Sequence, residues 1–416
     1  MSMVKQHSGQ AGKSPGALDG LKVLDLTQHI SGPYCTKLLA DYGADVIKIE
    51  KPEVGDIARQ MGPFPGNHPH REKSGLFLYL NTNKRGMALN LKIEKGRQLL
   101  LHLARWADVV VESFKPGTME RLGLGYSSLE KANKKLVVVS ISNFGQSGPY
   151  RDSLASEIIE HGMGGSLRAT GMPDREPTKY GAHVALQQAG SIAAAAVMTA
   201  LFARERRGRG EHVDVSIFET QAGSQDRRTT MTLAAQHTGY VFPRRPMQFA
   251  LATGTFPCAD GYIHLSGSAA RFPYTVKLIG REELLQHPTF GPMSNRSDPR
   301  IVEEFNQTIL LPWLMQHTMQ EVWHMAQAVG LACGPMYTPK DVMNDKTFRA
   351  RGVWATVEHP EAGTVVMPGR PFILHRTPWS LRRPAPTLGQ HNKEVLTDAL
   401  RYSSEEVARF RRLGVI

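Results

Sequence analysis

Along the first half of the chain the spacing of apolar residues switches between two periods. Short runs rich in Val, Ile and Leu predict strands at Leu21–Leu26, Asp45–Glu50, Met87–Leu91, Asp108–Glu112 and Leu136–Ser142. Between them lie stretches of helical spacing. One runs from about Tyr34 to Tyr42 and is closed by Gly43. Another, Glu94–Ala107, repeats Leu99, Leu100, Leu103 and Trp106 on one face. A further helix is predicted over Ser191–Arg206, a turn at Arg207-Gly-Arg-Gly210, and a strand at His212–Ile217. Strands alternating with helices predict an α/β fold with a parallel sheet. The opening strand–loop–helix–strand is of the nucleotide-binding kind, but its first loop, Thr27-Gln-His-Ile-Ser-Gly-Pro33, is not the G-x-G-x-x-G of a dinucleotide site.

From about Ser224 the pattern changes. Aromatic, Met and His residues become more frequent, Cys258–His264 predicts a hairpin, and helices are predicted over Val302–His317 and Met319–Val329. Strands follow at Val353–Val366 and Pro371–Leu374, then a capped helix pair over Glu394–Leu413. The expected organisation is a large domain of residues 1–223 plus 341–416, with residues 224–340 inserted as a smaller one.

Composition narrows the class. A chain of 416 residues, 41% hydrophobic and 21% charged, can bury a large core. Its start is polar and lacks an apolar signal region, and the apolar stretch Ser191–Ala203 is short for a bilayer. The three cysteines, Cys35, Cys258 and Cys333, show no metal spacing, which suits a reduced cytoplasmic setting without a metal. Net charge is +12, with the densest clusters at Arg204–Arg209 and Arg382–Arg383. No nucleic-acid motif accompanies that charge, so a phosphorylated small molecule is the expected partner, with neither nucleic acid nor membrane.

Two features suggest chemistry. Lys51 follows the second strand, where open α/β sheets bind ligands. Asp174 sits in a loop built from Gly171, Pro173 and Pro177, between Gly162-Met-Gly-Gly165 and the apolar run that starts at Ala182. Most Pro-Asp pairs are ordinary turns; a fixed loop between packed segments is also a good mount for a reactive carboxylate.

A series of stretches in fixed order resembles the class III CoA-transferases, which include formyl-CoA:oxalate, carnitine and benzylsuccinate CoA-transferases and α-methylacyl-CoA racemase. The stretches are Leu18–Leu26, Gly43–Glu50, Asn83-Lys-Arg85, Ala107–Gly117, Glu120–Gly125, Phe144–Pro149, Arg207–Ser216 and Pro384–Asn392. The resemblance implies a Rossmann-like α/β domain formed by both chain ends, an inserted small domain and an interlocked dimer. It implies coenzyme A as acyl-CoA substrate, a carboxylic acid as its partner, and Asp174, in Thr170-Gly-Met-Pro-Asp174-Arg-Glu-Pro177, as the nucleophile that carries CoA. It further implies Gln28, His29 and Ser31 at the thiol end, Lys51, Lys92 and Arg121 near the phosphates, and Leu89, Ser113, Phe114 and Leu122 around the adenine.

The chain also departs from the family. The region Pro243–Gly254 has no glycine run where formyl-CoA transferases have a covering loop, and Ser142 stands where a Lys is expected. At the positions of the racemase acid–base pair stand Ser156 and Gln187, neither titratable in the needed range; His183 is close but is not one of them. Tyr240, Phe242 and Phe249 suggest an acyl group larger than formyl. Three readings follow: a CoA-transferase, an acyl-CoA epimerase, or a non-catalytic subunit of a heteromeric transferase.

Overall fold

The computed structural model describes residues 15–223, 233–241, 243–244 and 248–416. These divide into two compact units. One comprises the described part of Met1–Leu167, with Lys179–Gly239 and Gly352–Ile416; the other comprises Arg168–Thr178 and Tyr240–Arg351.

The first unit is built on six parallel strands: β1 (Lys22–Leu26), β2 (Asp45–Glu50), β3 (Lys84–Ala88), β4 (Val109–Glu112), β5 (Val137–Ser142) and β6 (His212–Ser216). Their order across the sheet is β3-β2-β1-β4-β5-β6. The helices are α1 (Ser31–Asp41), α2 (Gly75–Leu80), α3 (Glu94–Trp106), α4 (Thr118–Arg121), α5 (Tyr126–Ala132), α6 (Glu157–Met163), α7 (Val184–Arg207) and α8 (Ile217–Gly223). Successive strand side chains point to opposite faces, so each strand feeds two cores. Val23, Val46, Val111, Val139 and Val215 pack with α1 and α7. Leu24, Ile47, Met87, Val110 and Val138 pack with α3, α5 and the C-terminal helices. Strand order reverses direction between β1 and β4, which opens a crevice at the carboxyl edge of the sheet.

Several boundaries differ from expectation, each for a physical reason. Strand β3 starts at Lys84 rather than Met87, because Lys84 is fully buried on an ion pair with Asp25 (2.9 Å) that hydropathy does not reveal. Helix α1 starts at Ser31, since Pro33 is tolerated in a first turn. Helix α7 starts at Val184. Gly190 lets it approach α1, where a Cβ would lie 2.4 Å from the carbonyl oxygen of Ser31. By length and composition α7 could cross a membrane; half of its apolar window is buried within the protein. Pro371–Leu374 is not a strand. Two prolines flank it, and Phe372 docks through its ring, stacked on Tyr42 at 4.4 Å, and through its carbonyl, which accepts the Tyr42 hydroxyl. Val353–Val366 resolves into an antiparallel hairpin of Trp354–His359 and Gly363–Pro368. The densest basic clusters serve the fold: Arg204 pairs with Asp108, Arg209 with Glu130, and Arg382 donates to the carbonyls of Ala40 in α1 and of Gly43 and Ala44 just after it.

The second unit has the hairpin Thr253–Cys258 and Gly261–Ser266, joined by a short strand, Cys333–Pro335. Its helical stretch Pro299–Leu314 widens to a π turn over Asn306–Leu310 just before Pro312, which cannot donate to the carbonyl of Thr308. Thr318 and Glu321 form a capping box that starts Met319–Val329.

One buried cation ties the N- and C-terminal parts of the first unit together. The Arg59 guanidinium is fully buried, paired with Glu50 at 2.7 Å and Glu72 at 2.5 Å, and donates to the carbonyl of Pro386. It also stacks on Phe77, 3.7 Å from the ring centroid. Removing it leaves two buried carboxylates without their partner. Arg59→Ala is therefore expected to destabilise the fold by about 3–5 kcal/mol, read as a lowered midpoint in urea unfolding.

Candidate active site

The loops after β1 and β4 meet at the reversal point of the sheet. The Gln28 backbone N–H donates to Ser113 Oγ at 3.0 Å, joining them directly. His29 is held at φ +72°, an unusual conformation for a side-chain-bearing residue, and its N–H donates to Asp56 Oδ1 at 2.9 Å. Asp56 is itself fixed by the buried Lys48 at 2.8 Å. Gly32 allows the tight entry into α1, because a Cβ there would lie 2.2 Å from Cβ of Thr27.

Above this junction lies a cavity of about 640 Å³, the size of a ligand site. Gln28, His29, Ser31, Ser113 and Phe114 line it, together with the N-terminus of α1, which favours an anion or a developing oxyanion. Lys51, Leu89, Lys92, Arg121 and Leu122 are not on its wall. Leu89 is buried in the core cluster against which Phe114 and Leu122 also pack. Lys51, Lys92 and Arg121 are exposed, and Arg121 donates to Thr118 Oγ1.

On the opposite wall the sequence singles out Ser142, Ser156 and His183, and misses Glu157, Glu160 and Lys179. That wall is formed by Ser142, Ser156, Glu157 and Glu160, with Lys179 and His183. Glu157 accepts from Lys179 Nζ at 2.8 Å and from the Ala185 N–H at 2.9 Å. His183 lies 3.4 Å from the same carboxylate, and its ring packs edge-on to His29, 6.0 Å between centroids. Burial and the neighbouring His183 keep His29 below the ordinary histidine range. Glu160 is 1% exposed and, among the described residues, neither of its oxygens has a hydrogen-bond partner; burial first, and Glu157 second, push its carboxyl up to about 7. The signal that could have found this wall is the i, i+3 placement of Glu157 and Glu160, which puts both on one face of a helix.

Asp174 lies at the tip of a closed loop in the second unit. Thr170 Oγ1 donates to the Thr178 carbonyl at 2.6 Å, and Gly171 takes φ +94° to make the turn. Arg244 donates to the carbonyls of Met172 (3.0 Å), Pro173 (3.5 Å) and Arg175 (2.8 Å), so it grips the backbone on both sides of Asp174. The Asp174 carboxylate is exposed and is not used in a local turn bond. Of the aromatic residues expected near the acyl group, Tyr240 and Phe249 are exposed, and Phe242 lies outside the described residues. Part of Pro243–Gly254 also lies outside them. Among the described residues no cluster of His, Cys, Asp and Glu has metal-ligand placement.

A doubly wound α/β unit with a cavity at its strand-order reversal has the architecture in which open α/β sheets bind small molecules. Comparison with known proteins makes this specific. Residues 18–392 match CoA-transferase family III. The chain is 32% identical over 408 residues to succinyl-CoA–D-citramalate CoA-transferase of Chloroflexus aurantiacus, covering 97% of this chain and 99% of that protein. It is 33% identical over 423 residues to formyl-CoA:oxalate CoA-transferase of Afipia carboxidovorans, covering 96% and 97%. The crystal structure of a CAIB/BAIF family protein from Brucella suis superposes with a TM-score of 0.81 at 29% identity, covering 92% of this chain and 100% of that one. The chain belongs to CoA-transferase family III and is a class III CoA-transferase.

The Glu160 environment has a consequence for stability. The folded protein holds the proton of Glu160 up to a pH near 7, while the unfolded chain releases it near the ordinary value of 4.5. The folded state therefore binds more protons between these values, and stability falls as pH rises through that window. Glu160→Gln removes this term. The variant is expected to gain roughly 1–3 kcal/mol over the wild type at pH 8, with the gap closing below pH 4.5, read by thermal unfolding across pH.

Proposed function

We propose that the chain moves CoA from an acyl-CoA donor to a carboxylic acid acceptor through an aspartyl-CoA thioester on Asp174. The observation that carries this reading is the cavity at the junction of the β1 and β4 loops, where five of the residues expected to contact CoA converge. Asp174 precedes the cavity-lining Lys179 by five positions in the chain. Its carboxylate is exposed rather than tied to its own loop, as an attacking group must be.

The chemistry follows from the need to exchange a thioester without losing it to water. An Asp174 oxygen attacks the donor acyl carbon, the carbon–sulfur bond breaks, and CoA leaves as thiolate from a mixed anhydride. The thiolate then attacks the Asp174 carbonyl and expels the donor acid, leaving the aspartyl-CoA thioester. The acceptor carboxylate attacks that thioester, releases the thiolate, and forms a second anhydride. Attack of the thiolate on the acceptor carbonyl yields the new acyl-CoA and frees Asp174. No proton or electron is gained or lost overall. Backbone N–H groups around Gly171 suit the oxyanions. Gln28, His29 and Ser31 take the thiol end, and Lys51, Lys92 and Arg121 the phosphates. Leu89, Ser113, Phe114 and Leu122 take the adenine.

The same reading includes residues 224–340 as an inserted small domain, an interlocked homodimer and a cytoplasmic location. The acid pairs named for the relatives, formyl with oxalate and succinyl with citramalate, are the first to assay. An epimerase reading has one observation in its favour: His29, His183 and Glu160 are titratable groups on one cavity. Incorporation of solvent deuterium at the α-carbon of an acyl-CoA, with no exchange of acids, would select it. Exchange by the purified chain alone excludes the role of non-catalytic subunit.

Asp174→Ala and Asp174→Asn are expected to abolish transfer, with loss of at least about 1000-fold in kcat, while stability changes by less than about 0.5 kcal/mol because the residue is exposed. Intact-protein mass spectrometry after incubation with a panel of acyl-CoAs should find a CoA adduct on the wild type and on neither variant. Transfer at the wild-type rate by Asp174→Ala overturns the mechanism.

A further inference from the structure

One side chain grips the loop that carries Asp174, and the grip sets the direction of the loop's peptide groups. Arg244 donates to the carbonyl oxygens of Met172 at 3.0 Å and Arg175 at 2.8 Å, and reaches that of Pro173 at 3.5 Å. A guanidinium presents five N–H donors in a fixed planar fork, so it can collect several carbonyls at once. The peptide bond between Arg175 and Glu176 is trans, and in a trans peptide the carbonyl and the N–H point in opposite directions. Turning the Arg175 carbonyl onto Arg244 therefore turns the Glu176 N–H away from it. That N–H has no backbone acceptor among the described residues. Gly171 completes the arrangement. At φ +94° it folds the chain back so closely that a Cβ would lie 3.2 Å from the Glu176 carbonyl oxygen and 3.1 Å from Thr178 Oγ1.

The N–H two residues after an Asp is the one its own side chain reaches in an Asx turn. The transfer proposed above puts negative charge on that side chain. When the CoA thiolate sulfur bonds to the Asp174 carboxyl carbon of the mixed anhydride, the carbonyl π pair moves onto its oxygen. The oxyanion then collapses, re-forms the carbonyl and expels the donor acid as carboxylate. Attack of the acceptor carboxylate on the thioester passes through an oxyanion on the same oxygen and expels the thiolate. We propose that the Glu176 N–H is the donor that stabilises this oxyanion, and that Arg244 is the positioning residue that aims it. Holding the Arg175 carbonyl on a cation also polarises the peptide group and strengthens its N–H as a donor. The proposal rests on Asp174 as nucleophile, and adds how the charge formed on it is held.

The test follows the CoA adduct on Asp174 in the full chain by quenched-flow and intact-protein mass spectrometry, with acetyl-, propionyl-, butyryl- and succinyl-CoA as donors. Arg244→Met is expected to slow adduct formation and kcat by about 100-fold, the cost of one lost oxyanion donor. KM for the acyl-CoA should stay within about threefold, since the lost interaction acts on the transition state. Arg244→Lys, which keeps the charge but not the fork, should recover part of the loss. Glu176→Pro removes the N–H itself, and should fall about 100-fold below Glu176→Ala, which keeps it. Both substitutions act on one hydrogen bond, so the double variant of Arg244→Met and Glu176→Pro should lie within about threefold of the slower single one. The Glu176 pair leaves Arg244 in place, so it tests the donor even if Arg244→Met does not fold. Equal rates in Glu176→Pro and Glu176→Ala overturn the proposal. So does a double variant whose loss is the product of the two single losses, or an Arg244→Met that forms the adduct at the wild-type rate. In each of these outcomes a wild type that carries the adduct leaves Asp174 standing as nucleophile. A wild type that forms no adduct on Asp174 with any donor overturns both.

Discussion

A buried charge network under the first loop decides how the rest of the first unit is arranged. Asp25 is fully buried near the carboxyl end of β1. Its carboxylate accepts from the Thr27 N–H and hydroxyl, from Thr36 Oγ1 at 2.6 Å and from Lys84 Nζ at 2.9 Å. Burial favours its neutral form, but Lys48, Lys84 and the hydroxyl donors outweigh that and hold the carboxyl well below the usual carboxylate range. Lys48, equally buried, donates to the Thr27 carbonyl and pairs with Asp56, which in turn holds the His29 N–H. The path from β3 through β1 to the cavity is thus a single set of charge-assisted hydrogen bonds. Breaking one partner leaves another charge buried and uncompensated.

That network has a functional consequence. His29 sits at positive φ, a conformation that costs of order 1–3 kcal/mol and persists only when its surroundings impose it. The imposing groups are Asp56, on one side, and the tight Thr27–Gly32 contact on the other. Gln28 is tied to the β4 loop through Ser113. The cavity edge is therefore held by contacts within the protein itself, which suits a site that must position a small molecule. The loop of Asp174 is fixed by a different device. Arg244 collects three carbonyls around it, so the backbone is held while the carboxylate stays free.

The amino-acid sequence by itself determined the class of fold, because hydrophobic period reflects burial directly. The runs at Val109–Glu112 and Val137–Ser142, and the amphipathic Glu94–Trp106, were legible for that reason. It also determined the family, through a series of short stretches whose order no single one reveals, and with it the residues at the β1 and β4 loops. Tertiary structure decided what depends on partners distant in the chain. Lys84 and Arg85 read as a polar turn, yet lie in β3 at the edge of the sheet, since their charges meet Asp25 and Asp45 only after folding. Pro371–Leu374 read as a strand, yet docks by an aromatic stack on Tyr42. The roles of Glu157, Glu160 and Lys179 were invisible for the same reason: a carboxylate in a sequence carries no sign of whether a lysine or nothing at all will face it, and only the packing of α6 against α7 left Glu157 paired and Glu160, among the described residues, without a partner.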